Sequence, residues 1–467
     1  YHALSRFFNQ GILLQEAELS PFSLELAMGV CRRHLYLQYV LHKQVKRMPE
    51  LKISLLLEMG IYQLFFMKSV PEHAALHTTV EMTKELNGCS SQVRFVNGVL
   101  RNLLRQGLPA LPTKRLKAVS IKNSVPERLV RRWFERLGSE EAEKYAEKHL
   151  ERPVWWLRVD SRKIAPKVLA ERLNLPAEIY EDSYLRVDES HSLKTLLESK
   201  EFLEGLFSVQ NPAAMEVISL LKLEPSLRVW DACAAPGGKT ALMAEREPSL
   251  RILASDISDK RMKSMQDLFT RLCLENVEVA CLDASKELPK EQFHRILLDV
   301  PCSNLGVLSA RPEAVYRFTD EYLTELAALQ EQILEHASQA SSQDGIPVYA
   351  TCSPELEETE EVIQRLDSLL SSDIEDETLI TNTTIKSRDD FKESTHAAVE
   401  NITNTVSNTI SNTTTTMENI AENYTNTASI NSNDPEYIND QGVKNLDSTY
   451  FVTDPANYNP DDTGKQK

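Results

Sequence analysis

The chain has 467 residues, of which 42% are hydrophobic and 26% charged, and its formal net charge is −17. The length allows about two to four domains of roughly 100–200 residues each, and the hydrophobic share is enough to build buried cores. The cysteines, seven in all, are odd in number and form no C-x-x-C pair, which argues against a disulfide framework or a metal site and for reduced thiols in the cytoplasm.

From residue 1 to about 107 the pattern is helical. Apolar residues recur at helical spacing in Leu24, Met28, Cys31 and Leu35, and again in Leu51, Leu55, Met59 and Tyr62. The apolar run Leu51–Met67 is broken by Lys52, Glu58 and Gln63; it is too short and too polar to cross about 30 Å of hydrocarbon, so it is expected to be a buried helix and no membrane association is expected. Arg94–Arg105 predicts an amphipathic helix stopped by Gly107, and Pro109 and Pro112 mark a linker. Charged helices are expected over 113–150, a strand over Trp155–Asp160 and a helix over Ala165–Leu173. The first residue is Tyr1, not Met, which points to a missing start; no signal peptide is visible.

The pattern changes near Ser208. Leu227–Trp230, Arg251–Ser255, Val277–Cys281, Arg295–Asp299 and Pro347–Thr351 are strand-like runs separated by helical segments, the signature of a parallel sheet covered by helices. From about 374 onward Asn, Thr, Ser and Asp dominate, and this tail is expected to be disordered because it has too little apolar surface to offset the entropy of ordering. The expected domains are 1–112, 113–207, 208–373 and the tail 374–467. The tail carries a net charge of roughly −10, whereas Arg101–Arg172 carries roughly +9, so the acidic total hides a basic segment suited to phosphates. Solvated helix faces are the alternative account of that segment.

The residues with chemical potential cluster after the strands. Asp231-Ala232-Cys233-Ala234-Ala235-Pro236-Gly237-Gly238-Lys239-Thr240 follows one strand and opens a helix; its glycines permit close approach of a ligand and the helix start offers free N–H groups. It is not a P-loop, because no glycine stands five positions before Gly238, where the first glycine of that motif belongs; an ordinary strand-to-helix turn is the alternative. Asp256, Asp283 and Asp299 each follow a strand, where the ligand crevice of a doubly wound sheet lies. Asp256 is placed to bind ribose hydroxyls, with a helix cap as the alternative. Two cysteines also lie just beyond strands, in Asp299-Val300-Pro301-Cys302-Ser303 and Tyr349-Ala350-Thr351-Cys352-Ser353-Pro354. A single cysteine in such a place is usually a small buried hydrophobe. A pair fits attack of a thiolate on carbon 6 of a cytosine, which makes carbon 5 reactive toward a methyl donor.

These motifs resemble the Sun/RsmB/NOP family of RNA cytosine-C5 methyltransferases. Val70-Pro71-Glu72-His73-Ala74-Ala75 and Phe95-Val96-Asn97-Gly98-Val99-Leu100-Arg101 resemble a NusB-like RNA-binding domain, which precedes the catalytic domain in the branch that acts on small-subunit rRNA. The resemblance covers roughly residues 1–372 and implies a multidomain protein, an all-α NusB-like domain plus an α/β Rossmann-like methyltransferase domain. It implies S-adenosylmethionine as cofactor, RNA as partner, no metal, and a monomer. Cys233, Ala234, Ala235, Pro236, Gly237, Gly238 and Lys239 would form the cofactor loop, Asp256 would hold the ribose, Asp283 the adenine, and Asp299 the methionine amino end or the cytosine. Cys352 is the nucleophile that the resemblance implies and Cys302 the residue that assists product release, the two sulfurs flanking one pyrimidine; in DNA cytosine methyltransferases the Pro-Cys cysteine is instead the nucleophile.

The sequence departs from the family pattern at Gln210-Asn211, where Gln-Asp is usual, and at Ala310-Arg311-Pro312-Glu313, which replaces a more basic stretch. Nothing in 374–467 resembles the Asp-Gly-Phe-Phe-like segment that ends the family's sheet. A non-catalytic RNA-binding protein of the same ancestry, or a methyltransferase acting on tRNA, are the alternative readings.

Overall fold

The structure, a computed structural model, describes residues 1–10, 19–176, 178–187, 191, 193–365 and 384–386. It divides into two compact units, Tyr1–Arg152 with Leu308–Phe318, and the remainder.

The first unit is helical: α1 (His2–Gln10), α2 (Pro21–Gln44), α3 (Leu51–Phe66), α4 (Glu72–Glu85), α5 (Ser90–Gln106), α6 (Arg115–Asn123) and α7 (Glu127–Lys148). Helix α2 starts where Ser20 accepts from the Ser23 N–H at 3.2 Å and Pro21 supplies a preset first-turn φ. Helix α3 is apolar on nearly every side, and Ile53, Leu55, Leu56, Leu57 and Ile61 are all buried, so it forms the centre against which Val96, Leu100 and Leu103 of α5 pack. Its one buried carboxylate, Glu58, is partnered by His34 Nδ1 at 2.7 Å and by the Gln38 amide. The Arg94–Arg105 expectation is met by α5, which runs longer at both ends because Gln92 caps the N–H of Cys89 at 2.9 Å and Gly107 (φ 76°) stops the helix.

The second unit begins with β1 (Trp155–Val159), α8 (Pro166–Leu173), β2 (Ile179–Tyr180), β3 (Tyr184–Val187), α9 (Leu193–Leu197), α10 (Lys200–Leu203) and β4 (Phe207–Val209). The strands form an antiparallel sheet in the order β2-β3-β1-β4. Trp155, Leu157 and Val159 of β1 share one face and join its core, as a period of two requires. Strands β2, β3 and β4 are absent from the sequence expectation: they are at most four residues long, too short for a period to show.

The chain continues through α11 (Ala213–Leu220), β5 (Arg228–Asp231), α12 (Gly238–Arg246), β6 (Arg251–Asp256), α13 (Asp259–Leu272), β7 (Val277–Cys281), β8 (Phe293–Asp299), α14 (Ala314–Arg317), α15 (Asp320–Ser338), β9 (Ser341–Ala350) and β10 (Thr384–Lys386). Helix α14 lies in Leu308–Phe318 and belongs to the first unit, where Arg32 Nη2 donates to the Ser309 carbonyl at 2.7 Å and the Tyr316 hydroxyl to the Cys31 carbonyl at 2.7 Å. The large sheet is parallel, in the order β10-β9-β8-β5-β6-β7. Neighbouring strand residues alternate between two cores: Trp230, Ile296, Leu298 and Tyr349 face one, Val229, Leu297 and Val348 the other. Both faces are therefore covered, the expectation for a sheet built from βαβ units. The strand expected at Pro347–Thr351 begins earlier, at Ser341, because it pairs with β8 from Phe293 through Asp299. The tail 374–467 lies outside the described residues except for Thr384–Lys386, which pairs with Val348–Ala350.

Candidate active site

Strand β5 has β6 on one side and β8 on the other, so the chain winds outward from β5 in one direction, then returns and winds in the other. Adjacent loops leave in opposite directions at such a point and open a crevice at the carboxyl ends of the strands. Asp231, Asp256 and Asp299 are the last residues of β5, β6 and β8, and Cys302 and Cys352 lie just beyond β8 and β9. Adjacent parallel strands thus bring together residues that are distant in sequence.

The glycine turn is shaped by its contacts. Gly237 sits at the N-cap of α12 with φ 98°, and a Cβ built there would lie 2.7 Å from Met265 Cγ. A Cβ on Gly238 would lie 3.2 Å from Gln210 Nε2. Both positions therefore present backbone with no side chain in between. Asp231 Oδ2 accepts from Thr240 Oγ1 at 2.6 Å, fastening the strand to the helix. Its Oδ1 is buried without a hydrogen-bond partner. Burial pushes this carboxyl up to about 7, against the pull of the Thr240 bond, and Asp299 adds to the rise. An orphaned buried oxygen beside a glycine turn fits a ligand that brings its own donor.

Lys239 Nζ and Asp299 Oδ2 form a buried pair at 2.8 Å, joining the start of α12 to the end of β8. Asp256 Oδ1 accepts from the Ser258 N–H at 2.9 Å and meets Arg261 Nη2 at 2.9 Å. Asp283 is more exposed and more local: its oxygens take Ser285 Oγ at 2.6 Å and Lys286 Nζ at 2.7 Å, which together hold its carboxyl below the usual range against the opposing effect of burial. Ala234 and Ala235 are buried against α13, while Cys233 is half-buried with its thiol pushed well up by burial and by Asp256.

Cys302 and Cys352 meet with their sulfurs 2.7 Å apart, both buried and both against Val307. A ring attacked by one sulfur needs about 3–3.5 Å to that sulfur alone. At 2.7 Å the sulfurs stand side by side, with no room between them for the pyrimidine ring expected there. The Cys352 thiol donates to Asn304 Oδ1 at 3.3 Å, and Asn304 Nδ2 donates to the Cys302 carbonyl at 3.0 Å, so one side chain ties both loops. Asn304 adopts φ 60°, a conformation that Asn tolerates better than most residues. The contact with Cys302, followed by burial, pushes the Cys352 thiol well above its ordinary range, so it is neutral at pH 7.

Asp231 and Thr240 bound the motif read from the sequence but carry no role of their own there, and Asn304 is not singled out at all. The orphaned oxygen of Asp231 and the double role of Asn304 have no local signal. A carboxylate preceding the glycine turn and an Asn two places after a Pro-Cys cysteine were the only available hints.

Comparison with known proteins supplies the ancestry. The family model for 16S rRNA methyltransferase RsmB/F matches residues 218–407, and that of the NusB family matches residues 8–105. A probable ribosomal RNA small subunit methyltransferase B of Bacillus subtilis is 32% identical over 351 residues, spanning 73% of this chain and 78% of that protein. The ribosomal RNA small subunit methyltransferase B of Shewanella oneidensis is 35% identical over 308 residues, spanning 64% of this chain and 69% of that one. The crystal structure of PH0851 shares the fold, with a TM-score of 0.64 at 23% identity over 76% of this chain and 82% of that one.

Proposed function

The chain belongs to the ribosomal RNA small subunit methyltransferase B family, and from that premise we propose that it transfers a methyl group from S-adenosylmethionine to carbon 5 of a cytosine in small-subunit rRNA. The observation that carries this reading is the meeting of Cys302 and Cys352, 2.7 Å apart, on the loops that follow β8 and β9, while Lys239 of the glycine turn pairs with Asp299 at the end of β8.

Cys233–Lys239 would hold the cofactor through its backbone, with Asp256 on the ribose, Asp283 on the adenine, Asp299 on the methionine end or the cytosine, and the orphaned Asp231 oxygen taking a donor. When bound, S-adenosylmethionine would supply the methyl group as an electrophile, its S–CH3 bond breaking to leave S-adenosylhomocysteine. The chain's own residues supply the rest. Carbon 5 of cytosine is a weak nucleophile. A bond from Cys352 sulfur to carbon 6 moves the C5=C6 electron pair onto carbon 5, which can then bond to a methyl carbon. After methylation a base removes the carbon 5 proton, the double bond returns, and the C6–S bond breaks; Cys302, in contact with the leaving sulfur, assists this release. Since the Cys352 thiol is neutral in the free protein, it must lose its proton before it attacks, and Asn304 orients the S–H bond. The target base must be unpaired or flipped out, because pairing and stacking hide its C5–C6 edge. The helical unit and the basic stretch Arg101–Arg172 would grip RNA phosphates, making binding weaken steeply with salt.

The test is methyl incorporation into naked 16S rRNA, with the product mapped by bisulfite sequencing. Cys352→Ala is expected to abolish incorporation; undiminished activity would refute the assigned nucleophile. Cofactor and RNA binding by the native chain with no incorporation would point to a non-catalytic RNA-binding protein.

A further inference from the structure

Both cysteine loops rest on a buried polar network that the chemistry above does not itself use. Its hub is Glu358, fully buried in the 3-10 turn Leu356–Glu358 just beyond Cys352. Glu358 Oε1 accepts from the Ser303 N–H at 2.8 Å and from Gln330 Nε2 at 3.0 Å, and Oε2 accepts from the Ser303 hydroxyl. Gln330 Nε2 also donates to the Pro301 carbonyl at 2.8 Å. The Tyr349 hydroxyl, from β9, lies 3.0 Å from Gln330 Oε1 and 2.9 Å from the Glu358 carbonyl. Ser303 Oγ stands 3.1 Å from Ser353 Oγ, which is next to Cys352. The peptide groups on both sides of Cys302 therefore end on this network, and Ser353 links it to the second cysteine loop.

The donors to this carboxylate are neutral groups, an arrangement that costs desolvation and that a well-packed apolar core would avoid. What the arrangement provides is geometry: two adjacent carboxylate oxygens fix the N–H and the O–H of a single residue, Ser303, at once. Burial pushes the carboxyl up and the Ser303 hydrogen bond pulls it down.

We propose that Glu358 is a positioning residue that holds the Pro301–Ser303 peptide so that the Cys302 thiol meets Cys352, and thereby sets the rate of product release. The proposal rests on the two-cysteine reading above. It requires that loss of Glu358 let Cys302 drift while the cofactor loop, on β5 and α12, stays in place.

The experiment uses the full chain, 16S rRNA and S-adenosylmethionine, and reads three quantities: cofactor binding by equilibrium dialysis, turnover, and covalent protein–RNA adduct on a denaturing gel. Cys302→Ala, expected to trap adduct, is the reference. Glu358→Ala is expected to bind cofactor normally, to lose turnover by about 10²-fold, the scale of a misplaced reacting group, and to accumulate adduct as Cys302→Ala does. Glu358→Gln can still accept from the Ser303 N–H and donate to its hydroxyl, so it is expected to recover most of the turnover and to clear the adduct. Adduct in Cys302→Ala but not in Glu358→Ala would overturn the inference alone. No adduct in either would overturn the two-cysteine reading and the inference with it. Equal impairment in Glu358→Gln and Glu358→Ala would also overturn it, since the charge rather than the geometry would then matter. Should Glu358→Ala fail to bind cofactor, Glu358→Asp, which keeps the charge but draws the carboxylate back from the Ser303 N–H and hydroxyl by one methylene, carries the test: adduct supports the inference and its absence refutes it.

Discussion

Gly237→Ala measures how tightly the glycine turn is built. Gly237 has φ 98° and ψ 2°, a left-handed backbone that costs an L-residue about 1–2 kcal/mol. The new Cβ would also press into α13, 2.7 Å from Met265 Cγ and 3.0 Å from Phe269 Cε1. Both side chains are buried, and overpacking of this kind costs about 1–3 kcal/mol. Together these give about 2–5 kcal/mol of destabilisation. Gly98→Ala provides the opposite case. Gly98 lies within α5 with nothing within 4 Å of a built Cβ, so alanine should stabilise by about 0.8–1 kcal/mol through helix propensity alone. Equilibrium urea unfolding of the full chain, followed by circular dichroism and tryptophan fluorescence, reads both substitutions, and a cofactor titration of Gly237→Ala should show weakened binding. If Gly237→Ala loses less than about 1 kcal/mol, the close approach of the turn to α13 and its left-handed strain are wrong.

Two further outcomes follow from the titrating groups. Asp231 is raised to about 7 by burial, so the folded state holds its proton more tightly than the unfolded chain. Its contribution is fully present below the unfolded carboxyl pKa and is lost as pH rises toward 7, an effect on the order of 4 kcal/mol. Asp231→Asn should therefore flatten the fall in urea midpoint between about pH 4 and 7, and an unchanged slope would exclude a raised Asp231. Alkylation by iodoacetamide at pH 7.5, mapped by mass spectrometry, should label exposed Cys89 first, because hydrogen bonds from Ser91 and from the Gln92 N–H lower its pKa. Cys352, buried and held neutral, should react last together with Cys31; early loss of Cys352 would mean an open, ionised thiol.

Periodicity is a property of a few neighbouring residues, and it carried most of the fold. The apolar spacing of α2, α3 and α5 and the strand runs ending at Ser255, Cys281 and Asp299 were legible because each buries its own side chains in a repeating pattern. Placing Cys302, Cys352 and the aspartates at strand ends was legible for the same reason, since side-chain chemistry and the position of each strand are local. Three things were not. The short strands β2–β4 have no period to read. The contact of two sulfurs from loops 50 positions apart depends on β8 and β9 being neighbours, which is decided by how the crossover helix α15 packs, not by either loop. Glu358 stands in an acidic run, Glu355–Glu361, that reads as a solvated surface; only the closing of α15 and the cysteine loops over it removes water and turns one of those carboxylates into a buried hub. The sequence by itself determined the elements and the chemistry available at their ends; the tertiary structure decided which of those groups meet, because a meeting between distant segments is set by the packing of everything between them.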